Sequence, residues 1–207
     1  MPPKKQVYQF KVTLKDVKPP IWRRIQVPST YSFWDLHVAI QDAMGWLDYH
    51  LHEFRVRDVN GQMLSFGIPD DDFGDDFGDE ILPGWKHRIS KYLSLAKPVF
   101  EYVYDFGDDW RHKVELEAVL PAEREAVYPR CIKGKRACPP EDCGGPWGYQ
   151  ELLQVLADTG QEGYEEMKEW VDSMKEGPFD PESFDPSSVE FWDPKERFDL
   201  AFRDGQL

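Results

Sequence analysis

Apolar and polar residues alternate at the start of the chain and predict its first strand. The apolar members of this alternation are Tyr8, Phe10, Val12 and Leu14. A period of two is typical of a strand that buries one face. Two prolines interrupt the pattern, and the letters IWRRIQV then predict a second strand that ends at Pro28. We expect the two strands to pair as a hairpin.

A helical period replaces this alternation after Pro28. Apolar residues recur about every third or fourth position, at Phe33, Leu36, Ile40 and Met44. Ser32, followed three residues later by Asp35, resembles a capping box, and Gly45 suits the left-handed position that ends many helices. The chain therefore begins with the order strand, strand, helix.

Two further hairpins are predicted in the middle of the chain. Residues 50–67 place apolar runs on both sides of Asn60-Gly61, a dipeptide typical of tight hairpin turns. Residues 98–120 give two longer arms around the letters DFGDD, in which Gly107 lies between aspartates. On the second of these arms, one face is predicted to point inward, and its members are Trp110, His112, Val114, Leu116 and Ala118.

The remaining segments predict helices and irregular chain. They comprise a short helix over 87–95, a loop rich in Pro, Gly and Cys over 128–148, amphipathic helices over 148–160 and 164–174, an irregular wrap with three Asp-Pro pairs over 178–194, and a last helix over 194–204. This order indicates an α+β fold, a mainly antiparallel sheet covered by helices. We expect one domain over 1–207, with its core at about 6–176 and the C-terminal wrap and helix at 177–207.

Composition supports a packed interior and narrows the choice of partner. Hydrophobic residues make up 41% of the 207 residues and aromatic residues 14%, which exceeds what disordered chains carry. The net charge of −14 repels phosphate backbones. A basic cluster is present but small, with Arg130, Lys133, Lys135 and Arg136. We therefore expect a protein or peptide partner and no nucleic-acid binding by the chain alone.

The sequence also lacks the signals of a membrane or secreted protein. No run approaches 18 apolar residues, near the length of a membrane-spanning helix, and the N-terminus has no apolar signal-peptide region. Three cysteines is an odd number, which fits a reducing cytoplasm better than a disulfide framework. We expect a cytoplasmic protein without a membrane partner, and the oligomeric state stays open.

The letters DFGDD at 105–109 have two interpretations. A kinase is excluded because its glycine-rich phosphate loop, strand lysine and catalytic-loop aspartate are missing upstream. A hairpin loop is favoured, since aspartates in turns accept backbone N–H groups. The alternative is a divalent-metal site, because Asp105, Asp108 and Asp109 offer oxygen ligands. The acidic segment 69–80 lacks the spacing of an EF-hand and is expected to be a solvated loop.

Cys131, Cys138 and Cys143 leave three roles open. Their second gap fits a zinc knuckle and their first gap does not, so zinc would also need His112, His87 or a carboxylate as fourth ligand. The alternatives are buried, inert thiols and a redox pair. A nucleophilic cysteine would need a nearby base, for which His112 is the candidate.

His112 is predicted on the apolar face of its strand, where a core imidazole is the favoured role. The alternative is a cleft in which Asp105 or Asp109 pairs with the ring and raises its pKa. His50 and His52 are two residues apart, so on a strand they would share a face and could chelate a metal ion.

Several motifs together resemble a known family. They are the letters IWRRIQVP, FWDLHVAIQDAMGW, HLHEF, YDFGDDWRHKVELE, YPRCIKGKRACPPEDCGGPWGY and FDPESFDP, and they cover nearly the whole chain. They resemble the Ri-plasmid open-reading-frame-three-like proteins of bacteria and archaea. The resemblance implies a compact α+β domain without an established activity. Some members carry transposon-resolvase labels, one resembles a fusion to a repressor's DNA-binding domain, and members vary at the position of Cys143.

Two functions from different classes are consistent with these observations. The first is a non-enzymatic protein-interaction module of mobile-element or plasmid-type genes, without a cofactor, whose aromatic groove or acidic face selects a basic partner. Its candidate binding residues are Trp110, Arg111, Trp147 and Tyr149. Serine-resolvase chemistry is rejected, because no serine is accompanied by phosphate-binding arginines.

The second function is a divalent-metal-dependent hydrolase or phosphoesterase that uses zinc or magnesium. Its candidate residues are Asp105, Asp108, Asp109, Glu141 and Asp142 with His112. Among these, His112, Asp105 and Asp109 are the catalytic candidates. Cys131, Cys138 and Cys143 form a separate candidate zinc site.

Overall fold

The computed structural model describes residues 5–58, 60–69, 80–175 and 177–203, and the structural statements below concern these residues. Its strands are β1 (Gln6–Leu14), β2 (Trp22–Pro28), β3 (His52–Arg57), β4 (Met63–Gly67), β5 (Ile81–Pro83), β6 (Val99–Tyr104), β7 (Trp110–Pro121) and β8 (Arg130–Lys135). Its α-helices are α1 (Phe33–Met44), α2 (Gly145–Leu156), α3 (Tyr164–Met174) and α4 (Pro194–Arg203). Short 3-10 turns span Gly84–Lys86, Ile89–Lys91 and Pro186–Ser188.

The strands form one sheet in the order β5-β4-β3-β6-β7-β1-β2-β8. Every neighbouring pair is antiparallel except β4 and β5. The N-terminal hairpin β1–β2 and the central hairpin β6–β7 lie side by side, because β1 pairs with β7. The mainly antiparallel sheet with its helices confirms the predicted α+β class.

One face of the sheet is buried and the other is solvated, as the alternation along β7 shows. The inward positions Trp110, His112, Val114 and Leu116 are buried, and the residues between them are exposed or half-buried. Ala118 is the exception. A bulge between Gln9 and Phe10 of β1 shifts the register opposite this part of β7, so Val119 packs against the core in its place.

Helix α1 begins and ends at the predicted residues. The hydroxyl of Ser32 accepts the N–H of Asp35 at 3.1 Å, and the Asp35 carboxylate accepts the N–H of Ser32 at 2.8 Å. These reciprocal bonds satisfy N–H groups that the first turn leaves free. Gly45 ends the helix with a φ angle of 86°. None of the helices in the described ranges is long and apolar enough to cross a bilayer.

Strand β8 lies in a region that the sequence predicts as a loop. It pairs with β2 at the edge of the sheet, with a register shift between Arg24 and Ile25. None of its residues is fully buried. The strand therefore lacks the alternation of apolar residues that a half-buried strand needs, and its sequence does not reveal it.

The predicted helix over 87–95 is replaced by the short turn Ile89–Lys91. Its backbone groups are bonded to the start of α1, because the N–H of Phe33 donates to the carbonyl of His87 and the N–H of Ile89 donates to the carbonyl of Tyr31. Groups engaged in this way are not available for a continuous helix.

The C-terminal segment returns across α1. Phe198 and Phe202 of α4 pack against Trp34 and Trp85, with ring centroids between 5.0 and 5.6 Å apart. Aromatic pairs at this separation are favourable beyond the area they bury. The last predicted helix therefore exists and contributes to the packing of α1.

Candidate functional site

The loop between β6 and β7 is organised by the side chain of Asp105. Its Oδ1 atom accepts the backbone N–H groups of Gly107 and Asp108, at 2.9 and 3.3 Å. Asp105 and Asp109 adopt positive φ angles of 56° and 54°, a region that aspartate enters more readily than most residues. The letters DFGDD therefore form the predicted hairpin loop, and the Oδ2 atom of Asp105 takes no part in this turn.

A second loop, residues 45–51, brings His50 next to the hairpin loop. The N–H of Asp105 donates to the carbonyl of Leu51 at 2.9 Å, and the N–H of Tyr49 donates to the hydroxyl of Tyr104 at 3.1 Å. Strands β3 and β6 are antiparallel neighbours. The residues that precede β3 must therefore lie beside the end of β6, where Asp105 begins the loop.

A third loop, residues 141–144, leads into α2 and packs against the hairpin loop. The N–H of Gly144 donates to the Oδ2 atom of Asp108 at 3.2 Å. Gly145 has a φ angle of 68°, and a Cβ atom at this position would overlap the carbonyl oxygen of Asp108. Glycine permits both the angle and the close approach. This contact brings Asp142 to the same place as His50 and Asp105.

His50, Asp105 and Asp142 converge to form a triad. The Nε2 atom of His50 lies 3.0 Å from Oδ1 of Asp142 and 3.6 Å from Oδ2 of Asp105. One ligand atom from each residue lies within 4.8 Å of the other two. Ligands held about 2.0–2.2 Å from one zinc ion are roughly 3–3.5 Å apart. The triad therefore has a spacing close to that of metal ligands.

The Nε2 atom of His50 is buried and forms no hydrogen bond with any residue that the structure describes. The nearest charged groups to it are the carboxylates of Asp142, at 3.0 Å, and Asp105, at 3.6 Å. Buried polar atoms almost always have a partner, so this nitrogen and the two carboxylates are suited to hold an ion together. The Asp105 side chain is 9% exposed and that of Asp142 is 62% exposed, which leaves the triad open to solvent on the Asp142 side.

Glu141 connects the loop that precedes α2 with the loop that carries His50. Its Oε1 atom accepts the N–H of Leu47 at 2.7 Å and the hydroxyl of Tyr104 at 3.1 Å. Burial raises the pKa of Glu141. Burial, followed by the nearby charge of Glu141, also raises the pKa of Tyr104. These hydrogen bonds therefore fix the position of the loop that carries His50.

His112 lies in the core and not at this site. Its ring is fully buried, Nδ1 donates to the carbonyl of Tyr102 at 3.3 Å, and the ring packs edge-to-face with Trp46 at 5.3 Å. Burial lowers the pKa of His112 to about 3, so the ring is neutral at physiological pH. The pairing with Asp105 or Asp109 does not form, because the side chain faces the covered side of the sheet.

The four candidate binding residues divide into two groups. Trp110 and Tyr149 are buried in the core, where they contribute to packing. Arg111 forms an exposed ion pair with Asp109, at 2.9 Å, and Trp147 is 85% exposed. Only Arg111 and Trp147 of this set are therefore accessible to a partner.

The three cysteines are free thiols. Within the described ranges, the group of potential metal ligands contains none of them. Burial raises the pKa of Cys138 and that of Cys143 to about 12, which keeps both thiols protonated at neutral pH. Protonated thiols of this kind are poor nucleophiles.

His50 and His52 do not share a strand face. His52 is the first residue of β3 and is fully buried, with its ring stacked on His37 at a centroid distance of 3.5 Å, whereas His50 lies in the preceding loop. The sequence suggests His50 only as a partner of His52. Its true neighbours follow from the pairing of β3 with β6, which the letters do not show. Most of the acidic segment, residues 70–79, lies outside the described residues.

Known proteins are similar to this chain over most of its length. The plasmid pRiA4b ORF-3-like protein family matches residues 6–188. The uncharacterized protein y4hQ of Sinorhizobium fredii is 42% identical over 167 residues, which is 81% of each chain. The crystal structure of a protein of unknown function, MM3350 from Methanosarcina mazei Go1, has a TM-score of 0.81 and 44% identity, and covers 91% of this chain and 99% of that chain. The chain therefore belongs to the plasmid pRiA4b ORF-3-like protein family.

Proposed function

We propose that this chain binds a divalent metal ion through His50, Asp105 and Asp142 and uses it to hydrolyse a substrate. The observation that supports the proposal is the convergence of three ligand atoms within 4.8 Å. They come from three segments far apart in the sequence, and hydrogen bonds hold these segments together. Asp105 and Asp142 are candidates that the sequence already suggests, and His50 takes the place expected of His112.

The ligand types favour zinc over magnesium. Imidazole nitrogen suits zinc and other late first-row ions, whereas magnesium prefers a shell of oxygen atoms. Three protein ligands leave a coordination position open, as in catalytic zinc sites. Held by His50, Asp105 and Asp142, such an ion would supply Lewis-acid chemistry and would lower the pKa of a water molecule for hydrolysis of a carbonyl or phosphoryl group.

A non-enzymatic role in protein interaction is the second proposal. It is supported by apolar side chains that are exposed on the segments carrying the triad, namely Leu47, Tyr49, Phe106 and Trp147. The net charge of −14 would select a basic protein or peptide partner. The free thiols fit the cytoplasmic location proposed for both roles, and the family fits an association with plasmid-type genes.

Calorimetric titration with ZnCl2 tests the metal centre directly. Chelator-treated wild-type protein is expected to bind one zinc ion per chain, with MnCl2 titrated in parallel. His50→Ala and Asp142→Asn are expected to weaken zinc binding by at least about tenfold, since even residues that only support metal ligands contribute that much. His87→Ala is the matched control, because His87 is not part of the triad.

The hydrolytic step has its own assay on the same proteins. Zinc-dependent hydrolysis of p-nitrophenyl acetate is expected from the wild type and from His87→Ala, and not from His50→Ala. Equal zinc binding by the wild type and His50→Ala would reject the metal centre and leave the interaction role as the remaining proposal. Zinc binding without hydrolysis of any ester or amide probe would reject the enzymatic part alone.

A further inference from the structure

A groove between α2 and α3 reaches the proposed metal centre. Its volume is about 490 Å³, which lies in the range of about 300–1,000 Å³ typical of ligand-binding clefts. Asp142 and Cys143 line it together with residues of both helices. A ligand in this groove would therefore lie next to one of the three metal ligands.

The floor of the groove is apolar. It consists of side chains from the facing sides of the two helices, Leu152, Val155, Met167 and Trp170. Leu152 is buried, and Met167 and Trp170 pack partly against the core. An apolar floor of this kind favours a ligand that brings apolar side chains of its own.

The rim of the groove is acidic. Glu151, Glu162 and Glu166 line it with Asp142, and no lysine or arginine is among its lining residues. The three glutamates are exposed and form no salt bridge with any residue in the described part of the chain. Carboxylates that lack a cation within the protein are complementary to a cationic ligand.

We propose that this groove binds the substrate of the metal centre, and that the substrate is a peptide with lysine or arginine beside apolar side chains. The inference rests on the proposed hydrolase function and names its substrate class. Basic side chains meet the glutamates, and the apolar side chains between them cover the floor. A free polyamine can pair with the glutamates of the rim but has no apolar side chains to cover the floor. A polyanion is repelled by both the rim and the net charge.

Fluorescence anisotropy with a labelled peptide tests the groove. The probe is fluorescein-labelled (Lys-Leu)3, titrated with wild-type protein in the presence of zinc and again in the presence of a chelator. (Glu-Leu)3 tests the sign of the charge, (Lys-Ser)3 tests the apolar floor, and unlabelled spermidine is the competitor that represents a free amine. Binding of (Lys-Leu)3 is expected to be the tightest and to weaken as salt is raised.

Glu166→Lys and Glu165→Lys form a matched pair for locating the bound peptide. Both glutamates lie in the first turn of α3, so the substitutions change net charge and helix-dipole interactions equally. Only Glu166 lines the groove. An exposed ion pair contributes up to about fivefold in affinity, and reversal of the charge adds repulsion. We expect Glu166→Lys to weaken peptide binding by at least about fivefold and Glu165→Lys by less than about twofold.

Several results would overturn the inference. They are the absence of (Lys-Leu)3 binding, equal binding of (Glu-Leu)3 and (Lys-Leu)3, and equal losses of peptide affinity with Glu166→Lys and Glu165→Lys. Displacement of the labelled peptide by spermidine at the same concentration of positive charge as unlabelled peptide would do the same. The zinc titration separates this failure from failure of the metal centre, since a protein that binds zinc but no peptide lacks only the groove function. A protein that binds the peptide in the groove but no zinc would refute the proposed hydrolase and the assignment of the peptide as its substrate.

Discussion

Substitution of Gly145 by alanine tests whether one loop contact holds the metal ligands together. Gly145 has a φ angle of 68°, and a Cβ atom there would overlap the carbonyl oxygen of Asp108. The left-handed conformation costs a non-glycine residue about 1–2 kcal/mol. Overpacking against fixed neighbours adds about 1–3 kcal/mol. We therefore expect Gly145→Ala to lower the free energy of unfolding by about 2–5 kcal/mol.

Gly163→Ala is the matched control for the backbone contribution. Gly163 has a similar φ angle of 82°, but nothing lies within 4 Å of the position of its Cβ atom. The control variant should therefore lose only the conformational contribution of about 1–2 kcal/mol. The difference between the two variants isolates the contact between Gly145 and Asp108, which should amount to about 1–3 kcal/mol.

Urea denaturation of the metal-free proteins, followed by tryptophan fluorescence, gives both free energies. The folded variants are then titrated with zinc. We expect Gly145→Ala to bind zinc at least about tenfold more weakly than wild type, because a shift of this loop separates Asp142 from Asp105 and His50. Gly163→Ala should bind zinc as the wild type does. Equal stability losses together with equal zinc affinities would refute the role of this contact in positioning Asp142.

Two predictions concern ionisation. Burial raises the pKa of Asp42 to about 6, so the charged carboxylate destabilises the folded state, and this cost is complete above about pH 6. Asp42→Asn should therefore stabilise the protein by about 1 kcal/mol at pH 7 after allowance for solvent screening, and urea unfolding should show this gain vanishing as the pH falls from 6 to 4. Because burial lowers the pKa of His112 to about 3, NMR should find its ring neutral down to about pH 4, and protonation of this ring near pH 6 would contradict its place in the core.

The elements that depend on local patterns are predictable from the sequence. The alternation in β1 and β7 and the capping box at Ser32 and Asp35 each involve residues close together along the chain. Strand β8 is not predictable in this way, because its partners in β2 lie about a hundred residues earlier in the chain and its side chains carry no periodic signal.

The candidate site is likewise only partly predictable from the sequence. Asp105 and Asp142 stand out in the sequence as carboxylates in turn-rich segments, but nothing in the letters places them side by side. Their convergence depends on the contact of Gly145 with Asp108. His50 joins them only because β3 pairs with β6. His112 has the more conspicuous position in the motif, yet the inward face that the alternation correctly assigns to it removes it from the site.

Anomalous diffraction from crystals of the zinc-loaded protein shows directly whether His50, Asp105 and Asp142 bind the ion. We expect one strong zinc peak at the triad, about 2.0–2.2 Å from Nε2 of His50 and from a carboxylate oxygen of both Asp105 and Asp142. The same peak should be missing from crystals of His50→Ala prepared in the same way. A peak at the cysteines, or no peak within reach of His50 in fully loaded crystals, would contradict a zinc site at the triad.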